Sequence, residues 1–347
     1  MSHSVSLVDI KALDSCIDRA LDFLVRHQLP YGEFKTYMSL GNSLEENCQF
    51  DSSPFTTSLV VYCLSFLPIV RVGEMTEKAL DFLAAEMESP GLWRFWSSKD
   101  PTHRLIPPDI DDTCCASFVL KKYRTAPPNT KLILANRNKQ GRFYTWFLPR
   151  LPTLLISATF WLTALRETPA RFVFWRKTEA DPDDIDCAVN ANVLLYLNEC
   201  EDTKAAIAYL IEVTLSGKEV MCDKWYLSKF PHYYMLSRAY FNGVEALGAV
   251  KSTVTDTLER MLDTNGECSN PLDTALAACT LLNFNHQSEA LHKAIRSLVE
   301  TQKSDGAWLR VPLYYGDPKK YYGWGSQELT TGFCVEAIAR YLSLLKK

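Results

Sequence analysis

The chain has 347 residues, roughly two to three times the commonest domain size, so it holds either two ordinary domains or one large unit built from repeats. Its 47% hydrophobic and 22% charged residues exclude general disorder, and 17 Phe, 16 Tyr and 8 Trp supply a large aromatic core or cavity. A net charge of −4 without long charged runs excludes nucleic acid, whose phosphates demand a basic face.

Taken in chain order, residues 1–14 hold no apolar core of signal-peptide length, so no secretion is expected. A first unit follows. Residues 20–24 form an amphipathic helical stretch leading to Gln28, Gly32 and Phe34, and residues 79–83 repeat it, leading to Glu86, Gly91 and Trp93. Residues 132–136 lead to Gly141 and Phe143, residues 205–215 to Gly217 and then Trp225, and residues 257–262 to Gly266. The last copy, 294–301, leads to Gln302, Gly306 and Trp308. Each first helix is followed by a more apolar second one, opening near Ser53, Asp109, Asp183, Pro231, Asn270 and Gln327 with a capping residue or proline. A helix that is apolar most of the way round is buried on both sides, whereas the first helices have a polar face. The pattern therefore predicts an all-α fold, an (α/α)6 toroid of six inner and six outer helices spanning 1–347 as one domain.

One insertion, at about 142–180, interrupts the repeats with a Leu-rich helix over 151–165 and the aromatic run Phe172-Val173-Phe174-Trp175. The helix is shorter than the roughly 18–20 residues needed to span a bilayer, so it either plugs one side of the barrel or faces a membrane or substrate entry. The eleven cysteines fall singly, as at Cys63, Cys187, Cys279 and Cys334, or as the neighbours Cys114 and Cys115. Their odd number and scatter predict reduced, packed thiols and a cytoplasmic location.

The segment Gln302-Lys303-Ser304-Asp305-Gly306-Ala307-Trp308 resembles the QW motif of squalene-hopene and oxidosqualene cyclases, and the stretch from Gln28 to Phe34 is a degenerate version. Asp109-Ile110-Asp111-Asp112-Thr113 resembles the D-x-D-D motif of class II, protonation-initiated terpene cyclases. This resemblance implies the α/α toroid shared with protein prenyltransferase β subunits, and an activity on a linear isoprenoid, free or as a prenyl diphosphate. Two departures stand beside it. Members with this activity usually place the site between two helical domains, whereas this chain has residues for one, so the pocket lies inside a single barrel or is completed by a partner domain or a second copy. Asp183-Asp184-Ile185-Asp186 lacks the spacing of a D-D-x-x-D metal motif, so no metal site is expected and magnesium enters only with a diphosphate substrate.

Protonating an alkene at neutral pH needs a strong acid that is still protonated. Crowded carboxyls provide this, because neighbouring like charges cannot all ionise, while a helix N-terminus favours the ionised form of those that cap it. Aligning the second and third inner helices sets Asp109 against Asp183 and Asp112 against Asp186, with Asp273 matching Asp112 in the fifth, so Asp112 reads as a repeated cap. Asp111 is not explained by the repeat and matches the acid position of the cyclase motif, which makes it the proposed proton donor. His232 opens the fourth inner helix, where it either hydrogen-bonds the acid, as the resemblance implies, or is a satisfied helix-start histidine.

Carbocations need aromatic walls. Trp96, Trp146, Trp175, Trp225, Tyr233, Tyr234, Tyr315, Tyr322 and Trp324 are the candidates, with the clusters at Tyr314-Tyr315 and Tyr321-Tyr322-Gly323-Trp324 foremost. Arg94, Lys99, Arg104 and Lys229 either hold a diphosphate or are solvated surface. Three other readings compete. A prenyltransferase β-subunit-like protein would use Asp112 and Cys114 as zinc ligands, but the last inner helix offers no His. Glycan hydrolases and lyases also use six-fold toroids with paired acids. A non-catalytic prenyl-binding or interaction scaffold is the third. A hydrophobic isoprenoid and peripheral membrane contact are the partners the cyclase reading implies.

Overall fold

The computed structural model describes residues 9–40, 44, 47–262, 266–316 and 322–346. Its outer helices are α1 (Ile10–His27), α3 (Ile69–Ala85), α5 (Thr130–Ala135), α9 (Lys204–Leu215), α11 (Lys251–Met261) and α13 (Glu289–Glu300). The inner ones are α2 (Pro54–Leu64), α4 (Ile110–Tyr123), α8 (Cys187–Leu197), α10 (Lys229–Phe241), α12 (Pro271–Asn283) and α14 (Gln327–Leu345). Each inner helix packs on the next, and α14 returns to α2, so the inner ring closes as the sequence predicts. Every residue of α2 is buried, because one side faces the ring axis and the other the outer helices. The outer α1 and α13 bury one stripe each.

The residue preceding each inner helix is a capping type: Ser53, Asp109, Asp186, Ser228, Asn270 and Ser326. This register corrects the alignment above. Asp109 pairs with Asp186 and Asn270, and Asp112 and Asp273 sit inside the first turn rather than at the cap. Asp109 accepts from the Asp112 N–H at 2.8 Å, and Asn270 from the Asp273 N–H at 2.9 Å.

Outer helices hand over to inner ones through a repeated corner. Four residues after the capping position, Thr57, Thr113, Asn190 and Thr274 each accept the backbone N–H of a residue two past a glycine, namely Phe34, Trp93, Phe143 and Cys268, at 3.0 to 3.1 Å. Gln28 and Gln302 brace two corners: Gln28 Nε2 donates to the Gly32 and Met75 carbonyls, and Gln302 Nε2 to those of Gly306 and Cys16, all at 2.9 Å. Trp93 and Trp308 are wholly buried, and each indole N–H donates to the carbonyl ten residues upstream at 2.8 Å.

The corner glycine tolerates no side chain. Gly306 has φ +95°, and a Cβ there would lie 2.2 Å from the Arg19 carbonyl oxygen. Gly306→Ala is therefore expected to destabilise the fold by about 2–4 kcal/mol through strain plus steric conflict. Urea denaturation checks this, and a change under half a kcal/mol would contradict the close approach.

A small antiparallel sheet, not foreseen from the sequence, joins the two chain ends. Its order is β2 (Gln49–Phe50), β1 (Tyr37–Leu40), β4 (Tyr322–Gly325), β3 (Tyr314–Tyr315). Register pairs Met38 with Trp324 and Trp324 with Tyr314, which sets these rings at one mouth of the barrel. The insertion forms α6 (Leu151–Ile156) and a longer α7 (Ala158–Lys177) that absorbs the aromatic run. Among the described residues no helix is long and apolar enough to cross a membrane.

Candidate active site

The loop carrying Trp93 and the loop carrying Trp146 both bridge to the backbone of Asp109, and the Ile110 N–H donates to the Thr145 carbonyl at 2.9 Å. This clamps the start of α4 against a cavity of about 150 Å³. Asp109, Asp111 and Asp112 all line it. Asp109 and Asp112 are buried and Asp111 is partly open.

The three acids are in different states. Burial pushes Asp109 up to about 7, against the N–H bonds it accepts as a cap. Burial and both neighbouring acids raise Asp112 well above the carboxylate range, and its Oδ1 has no hydrogen-bond partner. The protonated form of Asp112 is thereby favoured. Asp111 is also raised by burial, but three groups pull the other way: the Tyr226 hydroxyl, the Asn192 amide and the positive charge of Arg238. Tyr226 donates to Asp111 Oδ2 at 2.6 Å, and Asn192 Nδ2 donates to its Oδ1. Asn192 in turn accepts from Arg238 Nη2 at 2.5 Å. These donors stabilise the carboxylate that remains after a proton has left.

Aromatic rings make most of the remaining wall. Phe95 meets Trp96, Tyr314 and Trp324 edge-on at centroid distances of 5.6 to 5.8 Å, and Trp146 meets Phe174, Trp175 and Trp225 at 5.4 to 5.8 Å. Buried acids hold the indoles. Asp51 accepts from the Nε1 of Trp96 at 3.1 Å and of Trp324 at 2.5 Å, while Asp186 takes Trp225 at 3.2 Å and Asp184 takes Trp146 at 3.4 Å. The side chain of Asp186 makes no capping bond, so this acid serves an indole and Thr145 instead of the helix end.

Of the candidates, Trp96, Trp146, Trp225, Tyr315 and Trp324 line the cavity with the three acids, and Trp175 backs Trp146. Others do not. His232 is buried against Thr214, 3.0 Å from its hydroxyl, and makes no hydrogen bond to the acid cluster. Tyr233 and Tyr234 are core residues whose hydroxyls donate to Glu219 and Glu336 at 2.6 and 2.7 Å. Tyr322 is 42% exposed, and Tyr321 lies outside the described residues. Arg94 is consumed by Glu88, Glu167 and the Ile106 carbonyl, where it ties α7 to the barrel. Lys229 pairs with Glu219 at 2.9 Å and Lys99 sits over the Tyr31 ring at 4.4 Å. Arg104 lies in a short 3-10 turn, His103–Leu105.

Tyr226, Asn192 and Arg238 were missed. Two of them carry a signal in retrospect, because Asn192 and Arg238 are polar residues in the buried stretches 187–196 of α8 and 230–239 of α10. Tyr226 is one more aromatic beside Trp225, and nothing local sets it apart.

No family model and no curated protein matches the sequence. Solved structures do match. A protein from Actinoplanes aligns with TM-score 0.71 at 16% identity, over 94% of this chain and 99% of its own. Type II terpene cyclase MstE from Scytonema aligns with TM-score 0.69 at 15% identity, over 96% of this chain and 99% of its own. An unsaturated glucuronyl hydrolase specific for heparin aligns with TM-score 0.51 at 11% identity, over 98% and 99%. The chain thus has the α/α toroid fold of the type II terpene cyclases, a fold that glycan-degrading enzymes share.

Proposed function

We propose that this chain is a protonation-initiated terpene cyclase acting on a linear isoprenoid, with Asp111 as the general acid. The observation that supports this best is the cavity itself: a partly open acid with its conjugate base pre-solvated by Tyr226 and Asn192, facing rings whose N–H edges are tied to acids. In the first step the Asp111 O–H bond breaks and a C–H bond forms at the terminal alkene. The electron pair stays on the carboxylate, where Tyr226 and Asn192 hold it. The resulting cation moves along the folded chain as each alkene attacks it. Rings of Phe95, Trp146 and Trp225 face it, and exclusion of water keeps it from early capture. Loss of a proton ends the sequence and makes the overall reaction an isomerisation.

This role suits Asp111 better than Asp112. A donor to an alkene must be protonated yet as acidic as its site allows, and the donors on Asp111 provide acidity that Asp112 lacks. No metal is needed for that step, and magnesium would accompany only a diphosphate head group. Incubation with prenyl diphosphates, free prenols and squalene, read by mass spectrometry, tests the reading; no cyclised product from any of them would refute it. The prenyltransferase-like alternative has less support, since Cys114 is wholly buried and burial raises its thiol far above the ordinary range.

Membrane contact is part of the same proposal. The insertion exposes Leu151, Leu155 and Ile156, with Leu155 at 86%, and Leu162, Leu165 and Phe172 on α7, the helix that also contributes Phe174 to the cavity. Such a patch on one short segment suits the interface from which a hydrophobic substrate would come. Leu155→Glu with Leu162→Glu is expected to cut sedimentation with phosphatidylcholine vesicles at least fivefold; unchanged sedimentation would argue against this face.

The acids also predict pH behaviour. Burial pushes Glu33, which accepts from Ser52, Ser53 and Tyr31, up to about 7, as it does Asp109. The unfolded chain releases these protons near pH 4, so between about 4 and 7 the folded state binds more protons and stability falls as pH rises. Tm is therefore expected to be higher at pH 6 than at pH 8, with turnover declining over the same interval as Asp109 ionises beside the donor. Scanning calorimetry and a pH–rate profile check the two limbs.

A further inference from the structure

The fourth repeat keeps the corner glycine but departs from the other corners at the two positions that meet across it. Where the other corners place an aromatic or cysteine two residues after the glycine, this one has Glu219 after Gly217. Where four other inner helices place Thr or Asn, four residues after the capping position, α10 has His232. The same corner brings Cys222 against Cys187, the first residue of α8, with Cα atoms 5.7 Å apart. One ligand atom from each of Cys187, Cys222 and His232 lies within 4.8 Å of the others.

The two sulfurs are joined as a disulfide, in contrast to the reduced thiols expected from the sequence, yet that bond leaves the corner unsatisfied. His232 is 2% exposed and its Nδ1 has no hydrogen-bond partner. Glu219 is equally buried; its Oε1 is taken by Tyr233 and Lys229, and its Oε2 has no partner. Cys222 Sγ lies 3.2 Å from the Glu219 backbone carbonyl oxygen, so Glu219 borders the same corner. Two polar atoms without partners in a buried site destabilise the fold unless something else binds them.

We infer that, with both cysteines reduced, Cys187, Cys222 and His232 bind a zinc ion. Two thiolates and an imidazole are a borderline-soft set that suits tetrahedral zinc and not magnesium or calcium. Binding displaces the two thiol protons, and the disulfide form, having no thiolates, excludes the metal. The ion pins the loop between α9 and α10 to the start of α8, and that loop carries Trp225 and Tyr226 into the cavity. None of the three ligands lines the cavity, so the site is separate from the acid cluster and does not depend on the cyclase reading.

The test is metal content of the full chain purified with a phosphine reductant and no chelator. Mass spectrometry of the metal should find about one zinc per chain, falling at least tenfold in Cys222→Ser and in His232→Ala. Should those variants not fold, cobalt titration of the stripped parent chain replaces them: a near-ultraviolet thiolate-to-cobalt band saturating at one equivalent is expected. Zinc below a tenth of an equivalent together with no cobalt band overturns the inference. So does a Cys187–Cys222 disulfide peptide that persists in the reduced preparation, or zinc retained undiminished by both variants.

Discussion

Asp111→Asn is expected to lower turnover of the isoprenoid substrate by at least about a thousandfold while leaving Tm within a few degrees of the parent chain. The amide is nearly isosteric, and its oxygen can still accept from Tyr226 or Asn192, so packing around α4 changes little. What it cannot do is release a proton to carbon, and the upper part of the usual range for a general acid, about a hundred- to ten-thousandfold, applies when no other group in the cavity supplies that proton. Asp112→Asn is the companion. Burial and the neighbouring acids favour the protonated form of Asp112, so that change puts one uncharged group in place of another and is expected to cost under tenfold. Product formation for the two variants, measured by mass spectrometry on protein checked by circular dichroism, separates the roles. If Asp112→Asn removes activity and Asp111→Asn does not, the donor has been assigned to the wrong carboxyl.

The toroid was legible because its determinants are local and repeated. A glycine at a corner, a buried aromatic two residues on, and a cap before an apolar helix each leave a mark in the sequence, and six copies make the period visible. The acid cluster was legible for a related reason, as three carboxyls within four residues at one helix start are conspicuous. Five of the proposed wall aromatics also lie at the cavity, because they sit in the corners and strands that converge on that mouth.

What was not legible depends on contacts across the ring. Asp112 looked like a cap because the alignment was three residues out of register; the helix begins at Cys187, not near Asp183, once the 181–184 turn is recognised. His232 looked like a partner of the acid because both open inner helices, but the cluster is on α4 and His232 on α10, two ring positions away. The roles of Asp51, Asp184 and Asp186 in holding indoles cannot be read from spacing, since each joins residues 38 to 273 apart in the chain.

Arg238→Met is expected to lower turnover about ten- to a hundredfold with Tm within a few degrees of the parent. Arg238 is 1% exposed, lies over the rings of Tyr62 and Tyr234 at 4.9 and 5.3 Å, and reaches Asp111 only through Asn192. Before proton transfer its charge faces a neutral acid, so holding it in a buried site is a cost to the fold; after transfer it faces a carboxylate and the interaction is favourable. Methionine fills a similar volume and relieves the desolvation, while leaving the Asn192 oxygen unpaired at about 1–3 kcal/mol, so the two effects on stability oppose each other. For catalysis they do not oppose. Without the positive charge Asp111 holds its proton more tightly, and each unit of that shift removes about 1.4 kcal/mol of driving force from the step that starts the reaction. The pH–rate profile distinguishes this from a packing defect: the basic limb should move to higher pH in Arg238→Met, because the donor stays protonated longer. A variant that loses several degrees of Tm and keeps the parent's basic limb would show Arg238 to be structural only.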